Sequence, residues 1–451
     1  MSVTIQQIPT SPSIANSNIV YTCTSTQVAS PQFQFVVDIK NEANVLIQRV
    51  KQQPNPSSKG VFDFGQILPT VLGPTDRVWD ISVVTANTAS GKDFNIAFGE
   101  EYGTSTSSSV TLYDGAGSPG APAVTQPTTI QFILDGTANP NELVNWNWPS
   151  GSFYNEEDPG DDVTFTHQFG LTPFTTQSIR LGDYHTISLL NGNLRGDGDI
   201  FTLAQDVFAA TYKQYDSSGV IGSTDIIYNT TVGLRTADTD DWSTVYTEQS
   251  GSTRLNHWPV GPANLVDASI GLDSDLAYYT VEFTAQATDR SPNYSGIWGV
   301  YRFNVTTANC GYDGVRFAYK NQYGVWDYYN FALAEATTAV IERQQYEQTF
   351  VDYSSTANTV DYNVERRGKN NYYNKINNQR TANTDYLTQV DADNLRELFY
   401  STDVYAQQAD GAYFPVIINT ATVTEKTNPR SQKLFRYTVE YQYANEVRSR
   451  R

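Results

Sequence analysis

Residues 314–331 read GVRFAYKNQYGVWDYYNF. Seven of these eighteen side chains are aromatic, one is a carboxylate, and none is a histidine or a cysteine. Val315, Phe317 and Tyr319 alternate with Arg316, Ala318 and Lys320. Beyond Asn321 to Gly324, Val325, Asp327, Tyr329 and Phe331 alternate with Trp326 and Tyr328. A period of two on both sides of a short polar break predicts a β-hairpin with its turn at 321–324. Its second arm carries rings on both faces, so neither face is expected to lie in open water.

The same pattern recurs outward from this hairpin. FQFVVDIKNEANVLIQRVKQ (33–52) predicts another hairpin, turning at Asn41 to Asn44. VFDFGQILPTVLG (61–73) predicts a strand and one helical turn, halted by Pro69 and Gly73. With strands at 95–103 and 129–136 these make a first β-sandwich over 19–150, preceded by a polar extended arm at 1–18. Strands at 178–190, 206–216, 223–232, 277–286 and 296–305 predict a second, acidic sandwich over 151–309. Residues 310–451 predict a third β domain, which holds the opening hairpin and a polar hairpin at 362–377 tipped by Arg367-Gly368-Lys369. It adds a helix at 391–401 with Asp391 as N-cap, and a closing strand in which Tyr437, Val439 and Tyr441 alternate with Thr438 and Glu440. The expected fold class is mainly β: three β-sandwich-like domains, the C-terminal one an antiparallel sheet flanked by one short α-helix.

Composition narrows the function classes. At 451 residues the chain exceeds one ordinary core, and its 17% charged residues with abundant Tyr, Thr and Ser favour strands and turns. Lys and Arg against Asp and Glu number 6 and 7 over 1–100, 6 and 24 over 101–300, and 17 and 17 over 301–451. A middle region this acidic repels phosphate backbones and anionic lipids, so sequence-specific nucleic-acid binding and membrane association are not expected of it. Cys23 and Cys310 are the only cysteines. They make neither a disulfide framework nor a metal knuckle, which points to synthesis in a reducing compartment. The N-terminal residues show no basic segment followed by an apolar run, and no stretch reaches the length of a membrane span.

Reactive constellations are sparse. His167, His185 and His257 stand at no metal-ligand spacing, and His185, next to Tyr184 on an expected strand, reads as structural. No nucleophile elbow occurs. The acidic runs at 156–162, 196–199 and 238–241 read as solvated loops, without the spacing of a calcium loop. No catalytic, cofactor-binding or metal residue is assigned, and no cofactor is expected. What remains unexplained is the aromatic load, including Trp146, Trp148, Trp242, Trp258 and Trp298. Core filling takes about half of it, and contact with other chains the rest, because Tyr and Trp bury large areas while keeping a polar handle. The residues expected at subunit interfaces are Tyr323, Trp326, Tyr328, Arg367, Lys369, Tyr372 and Tyr373. A second reading gives the surface tryptophans to sugar stacking, as in a receptor- or glycan-binding module; a third is a glycoside-active enzyme using two loop carboxylates.

The segments at 30–68, FGEEYG (98–103), VGPANL (260–265), CGYDGVRFAYKNQYGVWDYYNF (310–331), ERQQYEQTF (342–350) and the closing 387–446 follow one another in an order that resembles a poorly characterised group of virion structural proteins of tailed bacteriophages. The third domain is similar in outline to tail-tube and distal-tail modules. The resemblance implies a non-enzymatic particle component of tail, baseplate or neck, made in the bacterial cytoplasm and assembled as a homo-oligomeric ring with copies of itself and neighbouring virion proteins. It is compatible with a channel that passes DNA, and it transfers no catalytic residue.

Overall fold

A computed structural model describes residues 2–9, 13–15, 17–41, 43–72, 77–87, 89–119, 124, 128–137, 151–153, 163–165, 170–190, 205–228, 255–287, 295–306, 314–349, 351–362, 365, 368–407, 411–423, 436–445 and 448–450. The fold is mainly β and built largely of antiparallel strand pairs with few short helices, as the period-two patterning requires. The chain divides into two compact units: Met1–Thr307 with Lys320–Asp327, and Ala308–Tyr319 with Tyr328–Arg451.

In the first unit, strands β1 (Val3–Gln7), β2 (Val20–Ser25), β3 (Gln34–Asn41), β4 (Leu46–Gln52) and β5 (Lys59–Asp63) open the chain. The sheet β1-β2-β5 faces a second sheet formed by β3, β4, β7 (Gly91–Tyr102), β8 (Thr128–Leu134) and two short strands. Between them Tyr21, Phe35, Phe62, Phe64, Phe94 and Phe98 form one core, with Tyr21 5.6 Å from Phe64 and 5.4 Å from Phe98. The hairpin β3–β4 turns where the sequence predicts, with Asn44 in the left-handed region.

The N-terminal arm is a correction. Val3 pairs with Ser25 and is buried in that core, and Ser13–Ile14 runs parallel to β8. A polar stretch hides this because, among its described residues, the buried ones Val3, Ser13, Ile14, Ala15 and Ser17 form no apolar period.

A second sandwich follows. Strands β9 (Thr176–Ile179), β11 (Gln205–Tyr215), β12 (Ile221–Tyr228), β14 (Tyr278–Ala287) and β15 (Ser295–Val305) form a five-stranded sheet. It packs on a three-stranded one made of β6 (Thr85–Ala86), β10 (Thr186–Leu190) and β13 (Leu255–Pro259). Their shared core includes Tyr212, Tyr279, Phe283, Tyr301, Ile187 and Trp258. Two separate sandwiches divided near residue 150 do not anticipate this arrangement, since Thr85 pairs with His257. The residues after β13 explain it: the buried Asn264 amide donates to the carbonyls of Trp79 (2.7 Å) and Ile81 (2.8 Å) and accepts from the His185 amide (2.8 Å). One side chain of the VGPANL segment therefore pins two distant stretches, 79–81 and 185, to its own.

An eight-stranded sheet runs β17 (Trp326–Phe331), β16 (Val315–Lys320), β22 (Val404–Gln407), β23 (Tyr413–Ile418), β24 (Thr438–Tyr443), β21 (Lys369–Asn383) and β18 (Ala336–Glu347), with β25 (Arg448–Arg450) beside β21. The helix begins earlier than expected, as α1 (Gln389–Leu395) followed by α2 (Glu397–Tyr400). Its N-cap is Thr388, whose hydroxyl accepts from the Asp391 amide at 3.2 Å and donates to the Asp391 carboxylate at 2.7 Å. Asp391 thus occupies the third helical position of a reciprocal cap, so the carboxylate sits one turn inside the end it was expected to cap. Leu395 and Leu398 bury its apolar side, and Phe399 meets Tyr437 at 5.5 Å.

Candidate assembly arm

The stretch 336–383 departs furthest from its expected form. ATTAVIERQQYE is rich in β-branched residues and glutamine, and it pairs as β18 along its whole length with β21, from Ala336 opposite Thr381 to Glu347 opposite Lys369. The long hairpin is therefore 336–347 with 369–383, not 362–377. Between its arms β19 (Val351–Ser354) and β20 (Thr359–Tyr362) form a smaller hairpin of their own. A period-two reading misses this because every residue of β18 is exposed, so neither face is marked apolar.

The base of the ribbon is fixed. Arg380 Nη1 donates to Glu335 Oε1 at 3.1 Å, the Tyr441 hydroxyl donates to the same oxygen at 2.7 Å, and the guanidinium lies 4.6 Å from the Tyr443 ring. Burial, and then the bond to Glu335, pushes the Tyr441 hydroxyl up. Burial by itself lowers Arg380, but the Glu335 carboxylate outweighs it and raises the guanidinium above its ordinary value. Further out the contacts are weak: Lys369 to Glu347 (3.0 Å) and Lys375 to Glu342 (3.9 Å) are exposed pairs, of a kind that contributes little. Tyr372 donates to Gln344 at 2.7 Å, and its ring lies 6.2 Å from Tyr346. Val340, Ile341, Tyr346 and Tyr372 all stand in solvent, Tyr372 at 51% exposure.

The expected interface residues separate into two groups. Lys369 and Tyr372 are exposed on the ribbon, and Tyr373 is half-buried there. Trp326 and Tyr328 are corrected to interior residues, at 2% and 0% exposure. Trp326 meets Trp79 edge-on at 5.6 Å; Tyr328 packs 6.3 Å from Tyr413 and 5.1 Å from the Arg316 guanidinium. Tyr323 is half-buried against the cluster of Phe132, Leu134, Leu171 and Val325. The ring-rich hairpin is core because it carries apolar groups on both faces. Trp258 is likewise buried, 5.4 Å from Phe283. Arg367, Trp146, Trp148, Trp242, His167, Cys310 and the three acidic runs lie outside the described residues. The residues missed from sequence are Val340, Ile341 and Tyr346, whose signal is a β-prone run with no inward face.

Among the remaining polar groups, Ser188 Oγ and His257 Nδ1 lie 2.8 Å apart as a cross-strand pair of β10 and β13. Both are sealed in the interior, and burial pushes His257 down to about 3, so the imidazole is held neutral as a structural partner of the hydroxyl. Among the described residues no three His, Cys, Asp or Glu side chains converge as metal ligands. No helix among them is long and apolar enough to cross a membrane. Compared with known proteins, the chain matches no family model and no curated sequence.

Proposed function

We propose that the chain is a non-enzymatic structural component of a tailed-bacteriophage virion, a homo-oligomeric ring of the tail, baseplate or neck, and that the 336–383 ribbon is the arm that other copies cover. The observation that carries this reading is β18, a twelve-residue strand exposed from end to end on a firmly held base. Among the described residues β24 flanks β21 at 380–383 and β25 flanks it at 374–376, so the ribbon is two-stranded only at its outer end, 344–347 with 369–373; a two-stranded ribbon alone in water is marginally stable, and a chain that keeps one stands to gain by covering it. Two faces of a ribbon about 40 Å long and about 10 Å wide present roughly 800 Å², the share one partner contributes to an ordinary stable interface. The order of segments that resembles phage virion proteins supports the same assignment, and the excess of 24 acidic over 6 basic residues in 101–300 suits a passage to which DNA must not adhere.

Mass photometry of the purified full chain tests it. Discrete multiples of 50.2 kDa are expected, shifting to smaller multiples for the double variant Ile341→Glu, Tyr372→Ala with an unchanged far-ultraviolet spectrum. A chain that stays at 50.2 kDa at every concentration and is missing from purified particles overturns the reading.

A further inference from the structure

We infer that the outer edge of β18 is self-complementary, and that a second copy of this chain covers it by antiparallel strand addition about a two-fold axis through Ile341. Among the described residues β18 pairs with β21 on one side and with no strand on the other, so its outward N–H and C=O groups form an open edge. The strand contains no proline and no lysine, two of the residues that usually blunt such edges.

The register follows from geometry and charge. Opposed residues of an antiparallel pair point to the same face, and a two-fold axis normal to the sheet preserves faces, so one residue must sit opposite its own copy. Placing Glu342 or Arg343 on the axis opposes like charges directly. Placing Ile341 there opposes isoleucine to isoleucine, Val340 to Glu342, Ala339 to Arg343, Thr338 to Gln344, Thr337 to Gln345 and Ala336 to Tyr346. Within 336–346, all of which the pairing uses, no like charges are directly opposed; Glu347 falls opposite Glu335, just outside the paired strands. An axis at Val340 also avoids like charges but stops at Gln344 and leaves the exposed Tyr346 uncovered. Pairing at Ile341 adds about one backbone hydrogen bond per residue along the strand and joins the edge strands of two sheets into one continuous sheet.

Such a contact is isologous, so it joins copies in pairs and is distinct from the rotational contacts of a ring; the arms of one ring would meet those of another. It rests on the reading of the ribbon as an assembly element, and cysteine cross-linking separates the two claims. With Cys310→Ser in the background and Cys23 buried, Ile341→Cys places two thiols on the axis, whereas Thr337→Cys leaves them about 27 Å apart, eight residues along the strand. Under mild oxidation, Ile341→Cys should give a disulfide-linked dimer at least tenfold faster than Thr337→Cys. Equal rates, or no dimer from either while oligomers persist, overturn the two-fold contact and leave the arm reading standing. Absence of any oligomer sinks both.

Discussion

His257 shows what a single buried group does to the whole molecule. Its neutral ring bonds Ser188 inside the sandwich, and burial lowers its pKa from 6.5 to about 3. As pH falls, the unfolded chain takes up that proton first, so this contribution to stability is whole above about pH 6.5 and is lost progressively toward pH 3, at up to about 1.4 kcal/mol per pH unit. Between pH 7 and pH 5 the native chain should lose about 2 kcal/mol through this group. Urea unfolding of the native chain and His257→Asn at both pH values checks it, because the loss specific to the histidine must vanish in the variant. Cys23 is the companion case: burial pushes its thiol up to about 12. In a Cys310→Ser background Ellman's reagent at pH 8 should detect no thiol until denaturant is added. Gly324 is a third, with φ at +78° and no room for a Cβ, which would stand 2.1 Å from the Asp135 carbonyl oxygen. Gly324→Ala should lower stability by about 1–3 kcal/mol, read as a drop in melting temperature.

At the scale of elements, the base of the ribbon carries the sharpest expectation. Tyr441→Phe removes one donor to Glu335 while leaving Arg380 in place. The loss of about 1 kcal/mol should speed hydrogen exchange of the β18 amides nearest the base about fivefold, with little change elsewhere. This is also the scale at which sequence reading succeeds or fails for physical reasons. The closing strand was legible because one buried face imposes alternation, as Val439 and Tyr441 show against the exposed Glu440, whereas the β16–β17 and β3–β4 hairpins, with β16 and β3 buried on both faces, were legible from β-prone runs on either side of polar turns. The helix was legible in place but not in its cap, since Thr388 and Asp391 are both good cappers and only the backbone decides between them. The ribbon was illegible because a strand exposed on both faces has no period. The β6–β10–β13 sheet was illegible for another reason: its strands lie far apart in the chain, and the Asn264 side chain that ties their surroundings together carries no local pattern.

For the whole molecule, the aromatic load resolves by location. Trp258, Trp326 and Tyr328 fill interiors, so the hairpin that suggested an interface is instead a core element. The surface we propose for partners is the plainer 336–383 arm, where the sequence singles out Tyr372 but not the exposed Ile341.

Hydrogen exchange over 336–347, compared between dilute single chains and the concentrated assembly, tests the central claim most directly. The account predicts rapid exchange along β18 in the single chain and at least tenfold protection in the assembly, strongest around Ile341. Protection already complete in the isolated chain, or exchange equally fast in both states, would contradict it.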